Sequence, residues 1–452
     1  MDQYPFHHAL KFLDEVCIGC SHCMKECPTQ AIRICEGKVH LMENRCVDCG
    51  MCYRTCPYQA IMVEQDDFKK VYDYQYRILL VPALFFSQFP DKYATRQIYS
   101  ALMELGFSNI VEVEHSVPIL IEAIKQYIQS SQNDKPVISS FCPAIVRLVQ
   151  VKFPSLTENI MLLKTPVDLT AIYYKRRLLD MGIKEPEIGI FYVTPCAAKI
   201  AAVKSPVGER ASEVNGVINM DYIYNKVLRI LKNDKDEIKP FDGMKFVSSK
   251  GLRWSLTHGE ADNFEGRCLA IDGIHNVITF LEKLEKEEIS DIDFLELRAC
   301  DEGCPSGILT AENTFITVER VRFRAAKYKR LEKESDHESK MLNFNQYRNY
   351  ILEENQLEPV KPRSMYKLDD NMLEAMRKIQ EVNEIMKILP LVDCGVCGAP
   401  SCQAHAEDIV QGKSDIRRCI FIQNDIKEGN PREFLEKVWG NKKLKKSNEN
   451  EG

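Results

Sequence analysis

The sequence predicts an α/β core, with largely parallel sheets flanked by helices, between a small α+β cysteine-rich domain and a small helical cysteine module. Two observations predict this layout. Short apolar runs alternate with amphipathic stretches through the middle of the chain, the mark of strand–helix units and a parallel sheet. Eighteen cysteines fall into three groups, nine before Tyr58, five from Cys142 to Cys304, and four from Cys394 to Cys419.

In the middle region RILLVPALFF reads as a strand, residues 92–106 as a helix and NIVEVE as a strand. Residues 117–130 read as a helix, PVISS as a strand and residues 143–151 as a helix, and EIGIFYV and LELRA are two more apolar strands. From Glu332 to Asp370 the composition turns charged and loses its period. Asn371 to Leu389 then carries Leu373, Met376, Ile379, Val382, Met386 and Leu389 on one helical stripe, expected to pack against the main body. These features divide the chain into residues 1–75, 76–331, a charged helical connector at 332–389, a module at 390–440 and a disordered polar tail at 441–452.

Composition excludes several classes of function. Sixty basic and 66 acidic side chains leave a net charge of -6, which gives no reason to expect a nucleic-acid partner. No apolar run reaches bilayer length, and the N-terminal stretch lacks an export pattern, so the expected location is the cytoplasm. In a reducing compartment eighteen cysteines point to metals or catalysis rather than disulfides.

The first group is specific. Cys17, Cys20, Cys23 and Cys27 precede Pro28, and Cys46, Cys49, Cys52 and Cys56 precede Pro57. Both have the C-x2-C-x2-C-x3-C-P spacing of two-cluster bacterial ferredoxins, in which the fourth cysteine ligates the other cluster. Three thiolates two residues apart wrap one face of a cubane, with backbone N–H groups turned toward sulfur. Cys17, Cys20, Cys23 and Cys56 are therefore assigned to one [4Fe-4S] cluster, and Cys46, Cys49, Cys52 and Cys27 to a second. Zinc, the alternative, prefers separated cysteine pairs. His22 reads as an outward loop residue and Cys35 as a packing residue.

Cys142, Cys196 and Cys300 follow apolar strands in VISSFC, IFYVTPC and LELRAC, and Cys304 lies four residues further on. Carboxyl ends of parallel strands form the crevice where ligands bind. Four thiolates there can hold a cubane, though scattered buried cysteines would read the same way. In the last group, DCGVCGAPSC and the later Cys419 supply Cys394, Cys397, Cys402 and Cys419. This set resembles the four-cysteine [4Fe-4S] module of corrinoid and electron-transfer proteins, with a four-thiolate zinc site as the alternative. Four sets of four leave only Cys35 and Cys268 unassigned.

SSFCPAIVRL, TPCAAK and ACDEGCPSG resemble degenerate versions of the three cluster-binding motifs of [FeFe]-hydrogenases, over residues 78–327. The resemblance implies that Cys142, Cys196, Cys300 and Cys304 hold a cubane. It also implies that Cys304 bridges to a two-iron subcluster carrying CO, cyanide and an aminodithiolate, and that Lys199 hydrogen-bonds a cyanide. Cys304 and Lys199 are the implied catalytic residues, H2 and protons the substrates, and a carrier such as ferredoxin the electron partner. Departures from the family pattern place Phe141 where a proton-relaying cysteine stands, and Thr194 and Arg298 where methionines flank the two-iron site. They resemble the sensory, low-turnover branch, whose output would need a separate signalling partner. Glu302 and Glu312 read equally as substitute proton carriers and as solvated loop charges. The alternative is a hydrogenase-like electron carrier or cluster-assembly protein holding cubanes alone; a corrinoid-protein reductase rests only on the last module.

Overall fold

The computed structural model describes residues 6–130, 136–233, 241, 243–333, 342, 344–365, 368–369 and 371–423. The tail at 441–452, the end of the 390–440 module and parts of the connector lie outside these. The chain forms two compact units. One comprises Met1–Lys11, Val47–Gly50 and Val63–Arg363, the other Phe12–Cys46, Met51–Met62 and Ser364–Gly452.

The larger unit is α/β and contains two all-parallel sheets. The first has four strands in the order β2-β1-β4-β5, with β1 Tyr76–Val81, β2 Asn109–Glu112, β4 Ile188–Thr194 and β5 Gly216–Asn219. The second has the order β6-β7-β3, with β3 Val137–Ile138, β6 Cys268–Ile271 and β7 Phe294–Leu297. Ile78 opposes Ile190 and Leu80 opposes Tyr192, placing four apolar side chains on one face. That face shares a core with Leu120 and Ile124 of α2 (Val117–Ser130) and Leu169 and Tyr173 of α4 (Pro166–Asp180). The opposite face, Leu79, Val81, Phe191 and Val193, is buried as well. Burial on both faces explains why these strands read as continuous apolar runs rather than alternating ones.

The expected strand RILLVPALFF ends at Val81, and after Pro82 residues Ala83–Gln88 form a 3-10 helix. Proline has no N–H for the ladder, so it closes the strand. The helix expected over 92–106 is shorter, α1 at Thr95–Glu104, whereas α2 has the expected bounds. NIVEVE yields four strand residues before a 3-10 turn, Val113–Ser116. PVISS contributes only Val137 and Ile138.

In the smaller unit Ile32–Cys35 and Lys38–Leu41 form an antiparallel hairpin, with Cys35 opposite Lys38. Glu36 and Gly37 both have positive φ, at 52° and 72°, the geometry of a two-residue hairpin turn. Short helices cover His22–Glu26 and Met51–Thr55, inside the two ferredoxin-like motifs. Asn371 caps the helix Met372–Met386. Its stripe divides: Leu373, Met376 and Ile379 are exposed, while Val382, Ile385 and the following Leu389 share a core with Cys402, Ala406, Ile409 and Cys419. The stripe thus packs on the last cysteine module instead of the expected main body. Among the described residues no helix is long and apolar enough to cross a membrane.

A buried ion pair ties the helix Thr314–Leu331 to the edge strand β2: both Glu112 oxygens accept from Arg324, at 2.6 and 2.7 Å. Glu112 is fully buried and also accepts from the Tyr99 hydroxyl. Arg324→Met strands that carboxylate and should lower stability by about 3–5 kcal/mol. Thermal unfolding checks this, and Arg324→Met combined with Glu112→Leu should recover most of the loss.

Candidate functional site

Three of the four middle cysteines stand where a strand hands over to a helix or turn. Cys142 caps α3 (Pro143–Lys152), and Cys196 caps α5 (Ala197–Lys204) just beyond β4. Cys300 follows β7 by three residues, and Cys304 opens the 3-10 turn Cys304–Ser306. The expectation of one sheet edge is corrected here. Cys196 comes from the four-stranded sheet, and Cys142 and Cys300 from the three-stranded one. Cys142 and Cys196 thus stand at helix N-termini, where the backbone carries partial positive charge.

Two glycines bring the segments together. Gly303 has φ 82°, and a Cβ there would lie 2.5 Å from the Ser255 carbonyl oxygen, which accepts the Cys304 N–H at 2.9 Å. A Cβ on Gly307 would lie 2.3 Å from the Pro195 carbonyl oxygen, next to Cys196. That same carbonyl accepts the Leu309 N–H at 3.0 Å. The third motif is therefore fastened directly onto the second.

The charges at this crevice form a connected set. Burial pushes the Cys196 thiol up to about 11, with Lys199 pulling against it and Cys304 and Cys142 adding to it. Lys199 donates to the Cys304 sulfur at 3.2 Å. Burial alone would lower the Lys199 pKa, but Cys304, Tyr192 and Cys196 outweigh it and hold the ammonium protonated. Phe141 packs against two cations, with the Lys199 nitrogen 4.6 Å and the Arg298 guanidinium carbon 4.1 Å from its ring centroid. Arg298 is buried and paired with Glu260 at 2.7 Å and Glu296 at 3.1 Å. Glu260 also accepts from the Ser139 hydroxyl at 2.7 Å, and burial pushes its carboxyl up to about 7. Thr194 is buried, its hydroxyl donating to the Cys196 carbonyl at 3.1 Å.

Beside this set lies a cavity of about 100 Å³, lined by Phe141, Tyr192, Lys199 and Ser255 together with apolar residues such as Leu84 and Val113. Glu302 faces Arg322 at 3.6 Å and Glu312 faces Arg320 at 3.0 Å; neither lines the cavity. Sequence reasoning missed Glu260, Glu296, Ser139, Ser255 and Tyr192. The one available signal was position, since Ser139 and Tyr192 flank motif cysteines by three and four residues.

In the smaller unit Cys17, Cys20, Cys23 and Cys56 line one small cavity, with the exposed His22 at its edge. Burial pushes Cys23 up to about 12, reinforced by Cys20, Cys17 and Cys56. Backbone N–H groups of Ala31 and Ala60 donate to the sulfurs of Cys27 and Cys56 at 3.2 and 3.3 Å. Cys46 and Cys52 are buried, and Cys49 is half-buried and belongs to the larger unit. Cys394, Cys397, Cys402 and Cys419 line another small cavity with His405. Each of these two sets offers four thiols to a compact centre and could hold a cubane or a tetrahedral metal. Of the unassigned cysteines, Cys268 lies in β6 and Cys35 closes the hairpin.

Residues 83–225 match the family described as iron only hydrogenase large subunit, C-terminal domain. Residues 9–57 match the 4Fe-4S dicluster domain, and 389–421 the family described as "Putative Fe-S cluster". Iron hydrogenase 1 of Clostridium pasteurianum is 23% identical over 264 residues, covering 47% of this chain and 45% of that protein. A component of an ion-translocating oxidoreductase complex from Azoarcus sp. (strain BH72) is 47% identical over 38 residues, 8% of this chain and 21% of that one. The chain thus spans less than half the length of either relative. Among solved structures, an [FeFe]-hydrogenase studied for oxygen inactivation has a TM-score of 0.46 at 15% identity, covering 64% of this chain and 94% of that one. An apo [FeFe]-hydrogenase from Chlamydomonas reinhardtii gives 0.44 at 15% identity with the same coverage. The chain is thus similar to iron-only hydrogenases over residues 83–225 and to 4Fe-4S dicluster domains over residues 9–57.

One titration is set by the cavity wall. Glu114 is buried there, accepts the Ala83 N–H at 2.8 Å, and is pushed by burial and then by Glu112 up to about 8 from an ordinary 4.5. Below 4.5 the carboxyl is protonated in both folded and unfolded chains. As pH rises toward about 8 the unfolded chain releases that proton first, so this contribution to stability is lost across the window. Thermal melts of Glu114→Gln and the parent chain across that range should show a shallower fall for the variant.

Proposed function

We propose that the chain is an iron–sulfur oxidoreductase of the sensory [FeFe]-hydrogenase type. In this reading it carries out slow, reversible hydrogen oxidation and proton reduction, with electrons relayed through [4Fe-4S] clusters. The observation that carries it is the Lys199–Cys304 contact at 3.2 Å, with Cys142 and Cys196 near enough to act on the same charges and Lys199 also lining the cavity. A buried ammonium placed on one thiolate of such a set is the arrangement that anchors an anionic, cyanide-bearing group.

The residues fit the implied cofactor in donor chemistry. Cys142, Cys196, Cys300 and Cys304 would hold the cubane, Cys304 would bridge to the two-iron subcluster, and Lys199 would donate to its cyanide. When bound, that group supplies the iron at which hydrogen is formed or split. The protein supplies orientation and exclusion of water. Phe141 lines the cavity with a ring that cannot carry a proton, and its contacts with Lys199 and Arg298 hold it there. Slow turnover is the expected consequence. In the same reading Cys17, Cys20, Cys23 and Cys56, then Cys46, Cys49, Cys52 and Cys27, and finally Cys394, Cys397, Cys402 and Cys419 hold one cubane each. An external carrier of the ferredoxin class exchanges electrons with them, and a separate protein receives any signal.

The test is infrared spectroscopy on chain matured with two-iron assembly enzymes, together with hydrogen evolution from a reduced dye. CO and cyanide bands with slow evolution are expected. Phe141→Cys should raise the rate at equal cofactor occupancy, by less than the ~10²-fold a well-placed proton donor contributes, because Arg298 still packs against position 141. Absence of the bands in both proteins would reject the two-iron reading and leave a carrier of cubanes alone.

A further inference from the structure

Within the smaller unit the last cysteine module is fastened to the hairpin Ile32–Leu41, which follows the first ferredoxin-like motif, and to Arg45, which precedes Cys46 of the second. Its helix Cys402–Val410 presents Glu407 and Asp408, both buried. Arg45 donates to Glu407 at 2.7 Å, and Arg33 donates through two nitrogens to Asp408. Both arginines are buried too. Two buried ion pairs are a costly way to gain stability, because four charged groups lose water. Their firm effect is on register, since each pair tolerates little displacement once dry.

The loop between Cys397 and Cys402 adds a steric lock. The Ile34 N–H donates to the Gly398 carbonyl at 2.8 Å, and a Cβ on Gly398 would meet the Ile34 carbonyl oxygen at 2.0 Å. Gly398 also has φ 87°, which glycine alone adopts without strain. A Cβ on Gly395, next to Cys394, would lie 2.9 Å from the methyl of Met24, and Met24 is buried next to Cys23. Cys20 and Cys397 line one open cleft with Gly37 and Arg418. Arg418, next to Cys419, also reaches the sulfur of Cys35, at 3.7 Å.

We propose that this module is a fixed electron lead: the centre at Cys394, Cys397, Cys402 and Cys419 exchanges single electrons directly with the centre at Cys17, Cys20, Cys23 and Cys56. The proposal rests on both sets holding iron–sulfur clusters. Tunnelling through packed protein falls off exponentially with distance, so a register fixed by Arg33–Asp408, Arg45–Glu407 and Gly398 fixes the rate. One electron arrives from an external one-electron carrier, leaves one centre and enters the other. One site is oxidised by one electron as the other is reduced by one, with no proton or ligand moving. Arg33, Arg45, Glu407 and Asp408 are positioning residues in this scheme.

Metal analysis and electron paramagnetic resonance of the reduced full chain test it. Cys397→Ala supplies the spectrum without the last centre. Glu407→Gln combined with Asp408→Asn, and separately Gly398→Ala, release the docking while keeping every cysteine. The parent spectrum should be broader than the sum of the Cys397→Ala spectrum and one isolated cluster signal, at the same integrated spin count, through spin–spin coupling. Either docking variant with unchanged iron should collapse to that sum. Zinc in place of iron in the last module would reject the cluster reading itself. Iron at full count with an additive spectrum in the parent chain would leave that reading standing and overturn the direct exchange.

Discussion

Everything in the larger unit is arranged around the difficulty of gathering thiolates in a place with little water. Burial pushes Cys196 up to about 11, and the neighbouring cysteines push the same way. Left alone, such a set would keep its protons or splay apart. The fold opposes this with Lys199 on Cys304, with α3 and α5 starting at Cys142 and Cys196, and with the glycine contacts that fasten one motif to the next. A cation at the centre reverses the local logic, because coordinated thiols give up their protons. The same physics acts in miniature at Cys23, pushed up to about 12 among three other cysteines.

The neighbourhood of Phe141 shows how a pocket wall adapts to a buried charge. Arg298 introduces a guanidinium that needs partners, and it has Glu260 and Glu296. The aromatic ring is then held by two cations at 4.1 and 4.6 Å, so ring and cations are a single structural solution. Substitution at 141 therefore acts on a network and not on one side chain. Glu260, joined to Ser139, is the nearest buried acid in that network.

Much of this was legible in the sequence, for a physical reason: local constraints leave local marks. Cysteine spacing over residues 17–56 reflects loops that wrap a small centre, and the structure brings Cys17, Cys20, Cys23 and Cys56 around one cavity. Apolar runs marked β1 and β4 because both faces of their sheet are buried. Pro82 marks the end of the first strand, and its missing N–H explains why the strand stops there although the apolar run continues. The division of the middle cysteines between two sheets was not legible, since pairing order between distant strands has no short-range signature. The same holds for Glu260 with Arg298, separated by 38 positions, and for Arg33 with Asp408, separated by 375. The exposed start of the Met372–Met386 stripe shows the limit of periodicity, which marks an apolar face without naming what covers it.

The central claim is that the middle cysteines hold an iron–sulfur centre of their own, beside three others. Iron analysis with Mössbauer spectroscopy on anaerobically purified chain, before any two-iron assembly, tests it most directly when the parent is compared with Cys300→Ala. Sixteen matched cysteines predict four cubanes and sixteen irons in the parent. Cys300→Ala should lose four of those irons and keep the signals of the other sets. Iron that stays unchanged in Cys300→Ala, or a parent chain carrying zinc in place of cubanes, would contradict it.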